Sequence, residues 1–207
     1  MLCFFSGKST RILQWIRNIE SVFCNVPEQV RFVYIHGPYQ SKFDPYKSFV
    51  TFYQGFDHSA LSRESIEREK NVLYVIDDVG QDCDQHLLRQ WITALCHHTN
   101  SSIILVAHYI FSRSLKFAKD IVQNTCVFVF AYSPQSQGNL KNFAIQFFGT
   151  KWRGFMQAME DALVGDGSPA RFSYLCINFS PLTADRYRVT TNITPEEPPR
   201  VFYELSD

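Results

Sequence analysis

The run Ser6-Gly7-Lys8-Ser9-Thr10 carries the side chains and the glycine that hold a nucleotide's phosphates. A glycine lets backbone N–H groups approach anionic oxygens, and the first turn of a following helix adds more N–H donors and the positive end of its dipole. A lysine there reaches the β and γ phosphates, and a hydroxyl one residue later ligates Mg²⁺. Gly7, Lys8 and Ser9 fall in these places, flanked by Ser6 and Thr10 as further phosphate-binding candidates, so ATP with Mg²⁺ is the expected cofactor pair. Gly-Lys-Ser alone is weak evidence, being also a chance opening of an ordinary helix.

A second element of the same chemistry follows downstream. Val72 to Ile76 is a continuous apolar run that ends in Asp77 and Asp78. Open α/β sheets place their ligands at the carboxyl ends of such strands. Asp77 is expected in the Mg²⁺ shell, and Asp78 is placed to orient or deprotonate an attacking water. His108 closes another apolar run, Ile103 to Ala107, where it either donates to the γ phosphate or bonds to backbone as a strand-end histidine.

These residues need a scaffold, and hydrophobic spacing outlines one. Ile12, Ile16, Ile19 and Phe23 recur on one helical face, which predicts a helix from about Lys8 to Cys24, closed by Pro27. Val30 to Ile35, Phe49 to Tyr53, Val72 to Ile76, Ile103 to Ala107, Cys126 to Ala131 and Phe172 to Phe179 read as strands. Leu87 to Leu95 forms a helical stripe with His97-His98-Thr99-Asn100 as a polar loop behind it, and Phe143 to Leu163 reads as helix broken near Gly149. Alternating strands and helices imply an α/β fold, a mainly parallel central sheet with helices on both faces.

Composition narrows the class. The chain has 207 residues, 45% hydrophobic and 15% aromatic, enough for one well-cored domain over residues 1–194 with a proline-rich tail at 195–207. Twenty basic and twenty acidic residues cancel, which argues against a uniformly basic nucleic-acid coat. No apolar run reaches the ~20 residues of a membrane span. The apolar start runs at once into Gly7-Lys8, unlike a secretory leader. The six cysteines are scattered, which fits reduced thiols in an intracellular protein.

Two further groupings stand out. Cys83 with His86, and Cys96 with His97 and His98, have spacings open to zinc but form no standard four-ligand set. Residues 85–159 hold seven basic side chains against the single acid Asp120, and among them Arg113, Lys116 and Lys119 recur every third residue. On one helix face these three would contact DNA phosphates without reading bases, or else form a solvated surface.

Taken together, several segments resemble the viral genome-packaging ATPases of the FtsK-HerA group, including poxvirus-type enzymes and relatives in Polinton-like elements. The likeness runs through Ser6 to Thr10, Phe32 to Gln40, Val75 to Asp78, His97-His98, Ile103 to Phe111, Phe128 to Pro134, Met159 to Ala162 and Arg188 to Ile193. It implies a P-loop NTPase of the RecA/ASCE type that assembles into a homo-oligomeric ring and drives double-stranded DNA into a capsid, with viral capsid proteins as partners. It places the chain in host cytoplasm or nucleus, or with the virion, and not in a membrane. Leu2 stands where the family's loop begins with glycine, so the front of the loop is expected to be missing, and His108 stands in place of the usual amide. Two other readings remain beside it: a catalytically impaired P-loop relic, and a small P-loop nucleoside or metabolite kinase, for which no arginine-rich lid is seen.

Overall fold

The computed structural model describes residues 2–4, 7–55, 62–77, 85–106, 118–131, 137–164, 173–197 and 200–205. The chain divides into two compact units, one formed by Ser9–Thr125 and the other by Leu2–Lys8 with Cys126–Asp207. Along the chain, β1 (Leu2–Phe4) precedes α1 (Lys8–Arg17) and α2 (Ile19–Val22). The single helix expected to Cys24 is thus interrupted at Asn18, whose side-chain amide donates to the Gln14 carbonyl at 3.0 Å. The Asn18 backbone, at φ −109° and ψ 36°, leaves the α-helical region, so the helix breaks there although the Asn18 N–H still bonds the Gln14 carbonyl. Of the face expected to be apolar, Ile12 and Ile16 are buried and Ile19 and Phe23 half-buried, while Leu13 and Trp15 widen the buried side.

The first unit is an α/β layer built on four parallel strands. These are β2 (Arg31–His36), β3 (Val50–Gln54), β4 (Val72–Asp77) and β5 (Ser102–Val106). β2 pairs with β3 on one side and β4 on the other, and β4 pairs with β5. Every residue of β4 is buried, as an interior parallel strand requires. Between strands lie α3 (Arg63–Arg68), α4 (Gln85–Gln90), α5 (Cys96–Thr99) and, after β5, α6 (Ala118–Gln123).

A π-helical turn at Trp91–Leu95 joins α4 to α5. Within it the Thr93 hydroxyl donates back to the Arg89 carbonyl at 2.9 Å, a bond that perturbs the ladder at the point where an extra residue enters the turn. The stretch expected to loop at His97-His98-Thr99 is instead helical, with Thr99 buried. The helix stops one residue later, at Asn100, whose φ of 51° is the left-handed conformation common just past a helix end.

The second unit departs from the parallel expectation. β1 pairs in parallel with β6 (Val127–Ala131), but β7 (Tyr174–Asn178), β8 (Val189–Thr191) and β9 (Val201–Tyr203) extend β6 as antiparallel neighbours. The cause lies between β6 and β7, where two helices, α7 (Gln137–Phe148) and α8 (Trp152–Val164), replace the single crossover helix of a parallel unit. Two successive helical passes return the chain to the end of the strand it left, so β7 must run backward. The break between the helices is at Gly149, at φ 57°. Phe128, Phe130, Phe143 and Phe155 fill this unit's core, with Phe143 centred 4.8 Å from Phe130 and 5.1 Å from Phe128. β9 lies in the segment 195–207, expected as a tail.

Candidate active site

β2 and β4 are neighbours, yet the chain leaves them in opposite directions, from β2 to β3 on one side and from β4 to β5 on the other. Such a reversal leaves a crevice outside the carboxyl ends of the two strands, where open α/β sheets take their ligands. The residues at those ends are His36 and Asp77, and they are register partners.

Asp77 is 6% exposed, so its carboxylate needs hydrogen bonds to offset lost hydration. It receives two on one oxygen. The Ser9 hydroxyl donates to Oδ2 at 2.5 Å, and the Tyr34 hydroxyl donates to the same Oδ2 at 2.6 Å. Both lengths suit a hydroxyl facing a carboxylate. Ser9 is the second residue of α1, so this bond fastens the start of that helix to the end of β4.

A serine hydroxyl has one proton and two lone pairs, and here the proton goes to Asp77. Its lone pairs stay outside that bond, and Oδ1 of Asp77 accepts no hydrogen bond among the described residues. A hydroxyl and a carboxylate are hard oxygen donors of the kind Mg²⁺ takes beside substrate phosphates and water. The donor set therefore fits the expected metal. Gly7, at φ 82°, precedes the first turn of α1, which contains no acidic residue to compete with an anion. Lys8, next to Ser9 in the chain, is buried, and Thr10 is exposed.

A wall of rings backs the carboxylate on the β2 side. His36 is 4% exposed and donates from Nδ1 to the Gly37 carbonyl at 2.8 Å. Its ring centroid lies 4.7 Å from that of Phe43, and the Tyr34 centroid lies 5.4 Å from that of Phe43 and 5.5 Å from that of Phe52. Neither Tyr34 nor His36 stood out as a site residue in the sequence. Their signal was present: two polar-tipped side chains two positions apart share one face of an otherwise apolar strand.

Of the expected site residues, Ser9 and Asp77 are brought together, with Gly7 and Lys8 joined to Ser9 through the chain. Ser6, Asp78, His108, Arg113 and Lys116 lie outside the described residues, and Lys119 belongs to α6 without a described side chain. Within the basic segment, Arg89 is paired with Asp120 at 2.8 Å. Lys141 Nζ and Arg153 Cζ lie 5.0 Å and 4.8 Å from the centre of the Trp152 ring. Cys83 is outside the described residues, and His86 and His98 are exposed. A cleft of about 250 Å³, lined by Phe23, Val26, Pro27, Val30, Asn71 and Asn100, opens at the opposite, amino-terminal ends of the strands.

No family model, no curated protein and no solved structure matches the chain. Its own geometry therefore carries the functional argument. Among the described residues no helix is long and apolar enough to cross a membrane.

Proposed function

We propose that the chain is a magnesium-dependent ATPase of the P-loop class and RecA/ASCE type, and that its hydrolysis drives double-stranded DNA into a viral capsid. The observation that carries the ATPase reading is the Ser9 to Asp77 hydrogen bond, which joins the end of the glycine-lysine-serine motif to the end of the aspartate strand. Neither motif alone distinguishes a nucleotide site from a chance helix start or an acidic turn. Their direct bond, at a sheet reversal, is what a shared Mg²⁺-phosphate site requires.

In this reading Lys8 pairs with the β and γ phosphates, and the backbone N–H groups at the start of α1 take further phosphate oxygens. Ser9 and Asp77 hold Mg²⁺, which when bound offsets the charge developing between the β and γ positions. Asp78 accepts a proton from water as that water bonds to the γ phosphorus and ADP departs. His108 donates to the γ phosphate. The DNA substrate, the ring and the capsid partner follow from the likeness of the motifs to packaging enzymes, as does a location in host cytoplasm or nucleus or with the virion. Arg113, Lys116 and Lys119 are the proposed phosphate contacts on duplex DNA.

Incubating the purified full chain with ATP and Mg²⁺, with and without duplex DNA, tests the proposal. Phosphate release that needs Mg²⁺ and rises with duplex supports it. Transfer of the γ phosphate to an added nucleoside in place of water would contradict it in favour of a kinase.

A further inference from the structure

We infer that Tyr34 is a positioning residue that confines Asp77 to one free oxygen and so biases the site toward Mg²⁺ over Ca²⁺. The inference rests on the nucleotide reading above and concerns how this chain's own side chains prepare the metal position. A carboxylate oxygen has two lone-pair sites. Those of Asp77 Oδ2 face two hydroxyl donors, Ser9 and Tyr34, which leaves Oδ1 as the oxygen able to turn toward a cation or its water. Mg²⁺ is small, demands near-octahedral geometry and is bound through one or two carboxylates together with phosphates and waters. Ca²⁺ is larger, takes more oxygens and readily accepts both oxygens of one carboxylate. Blocking Oδ2 penalises the second mode.

Tyr34 is built for this task in a way Ser9 is not. Ser9 sits at the start of a helix, and its oxygen is itself a proposed metal ligand. Tyr34 sits on β2, directly beside β4, with no exposed surface. Its ring is held by Phe43 and Phe52, which fixes the direction in which the phenol donates. A buried donor on a packed ring orients its carboxylate before any ligand arrives, as outer-shell partners of metal ligands do.

The test uses the full chain as wild type, Tyr34→Phe and Phe43→Leu, each measured below its own melting transition. Binding of a fluorescent ATP analogue is titrated with Mg²⁺, with Ca²⁺ and without metal. Tyr34→Phe keeps the ring and its packing, so it should leave metal-free nucleotide affinity unchanged while raising the Mg²⁺ midpoint about 10-fold. The Ca²⁺ midpoint should move less, narrowing the preference between the two ions. Phe43→Leu loosens the ring that steers the phenol but keeps the hydroxyl, and should lower the melting temperature with a smaller narrowing than Tyr34→Phe. Wild-type Mg²⁺ and Ca²⁺ midpoints in Tyr34→Phe would overturn the inference, as would equal shifts in Tyr34→Phe and Phe43→Leu. A wild-type chain with no metal-dependent nucleotide binding would overturn the nucleotide reading and this inference with it.

Discussion

The Ser9 hydroxyl and the Asp77 carboxylate are 68 positions apart in the chain and share a 2.5 Å hydrogen bond. Ser9→Ala removes one of the two donors on Asp77 and a proposed metal ligand at once. Mg²⁺-dependent ATP affinity should fall by about 10-fold or more, while Ser9→Thr, which retains the hydroxyl, should stay near wild type. A Mg²⁺ titration of nucleotide binding checks this, and an unchanged midpoint in Ser9→Ala would remove Ser9 from the site.

A second prediction concerns the antiparallel unit, where Tyr174 organises the turn after β8. Its buried hydroxyl donates to Glu197 Oε2 at 2.6 Å and accepts the Ile193 N–H at 2.8 Å, and the same Oε2 accepts the Thr194 N–H at 2.9 Å. Tyr174→Phe leaves these groups short of a partner and should destabilise the protein by about 1–3 kcal/mol. Urea denaturation measures it. A wild-type midpoint would mean that water replaces the hydroxyl without cost.

The cysteines should differ sharply in reactivity. Cys24 and Cys126 are exposed, whereas Cys176 is buried on β7 and burial pushes its thiol up to about 12. Because the thiolate is the nucleophile, iodoacetamide at roughly pH 8 should modify Cys24 and Cys126 in the native protein. Cys176 should react only after denaturation. Peptide mass spectrometry reads the outcome, and native labelling of Cys176 would contradict its place in the core.

The parallel strands β2 to β5 were legible because each is a short apolar run rich in β-branched and aromatic residues, whereas β1, three residues long, was not read as a strand. Ser9 and Asp77 were singled out by residue type alone. What the sequence hid depends on partners distant along the chain. Tyr34 acquires its role from pairing opposite Val75, which brings its hydroxyl to Asp77. His97 and His98 resemble a loop in composition, yet helix continues until Asn100 adopts a left-handed φ. The helix break near Gly149 was legible, but its consequence, that two helical passes turn β7 antiparallel to β6, was not drawn. β8 and β9 are only three residues each, too short for an alternating pattern to register.

The basic segment yields a salt-dependent prediction. Replacing Arg113, Lys116 and Lys119 together by alanine should weaken duplex binding equally for all sequences and flatten the log-log salt slope by about 0.9 for each DNA phosphate no longer neutralised. Nucleotide binding should be unaffected. A triple variant with wild-type affinity and slope would assign these residues to a solvated face.

Phosphate release by wild type, Lys8→Ala and Asp78→Asn, read beside Mg²⁺-ATP affinity, decides whether Lys8, Asp77 and Asp78 serve one Mg²⁺-ATP site. Lys8→Ala should lose both binding and turnover, since the charge facing the β and γ phosphates is gone. Asp78→Asn should still bind Mg²⁺-ATP through Lys8, Ser9 and Asp77 but hydrolyse it about 100-fold more slowly or worse. Wild-type affinity and turnover in Lys8→Ala would mean that no such site is built on this lysine.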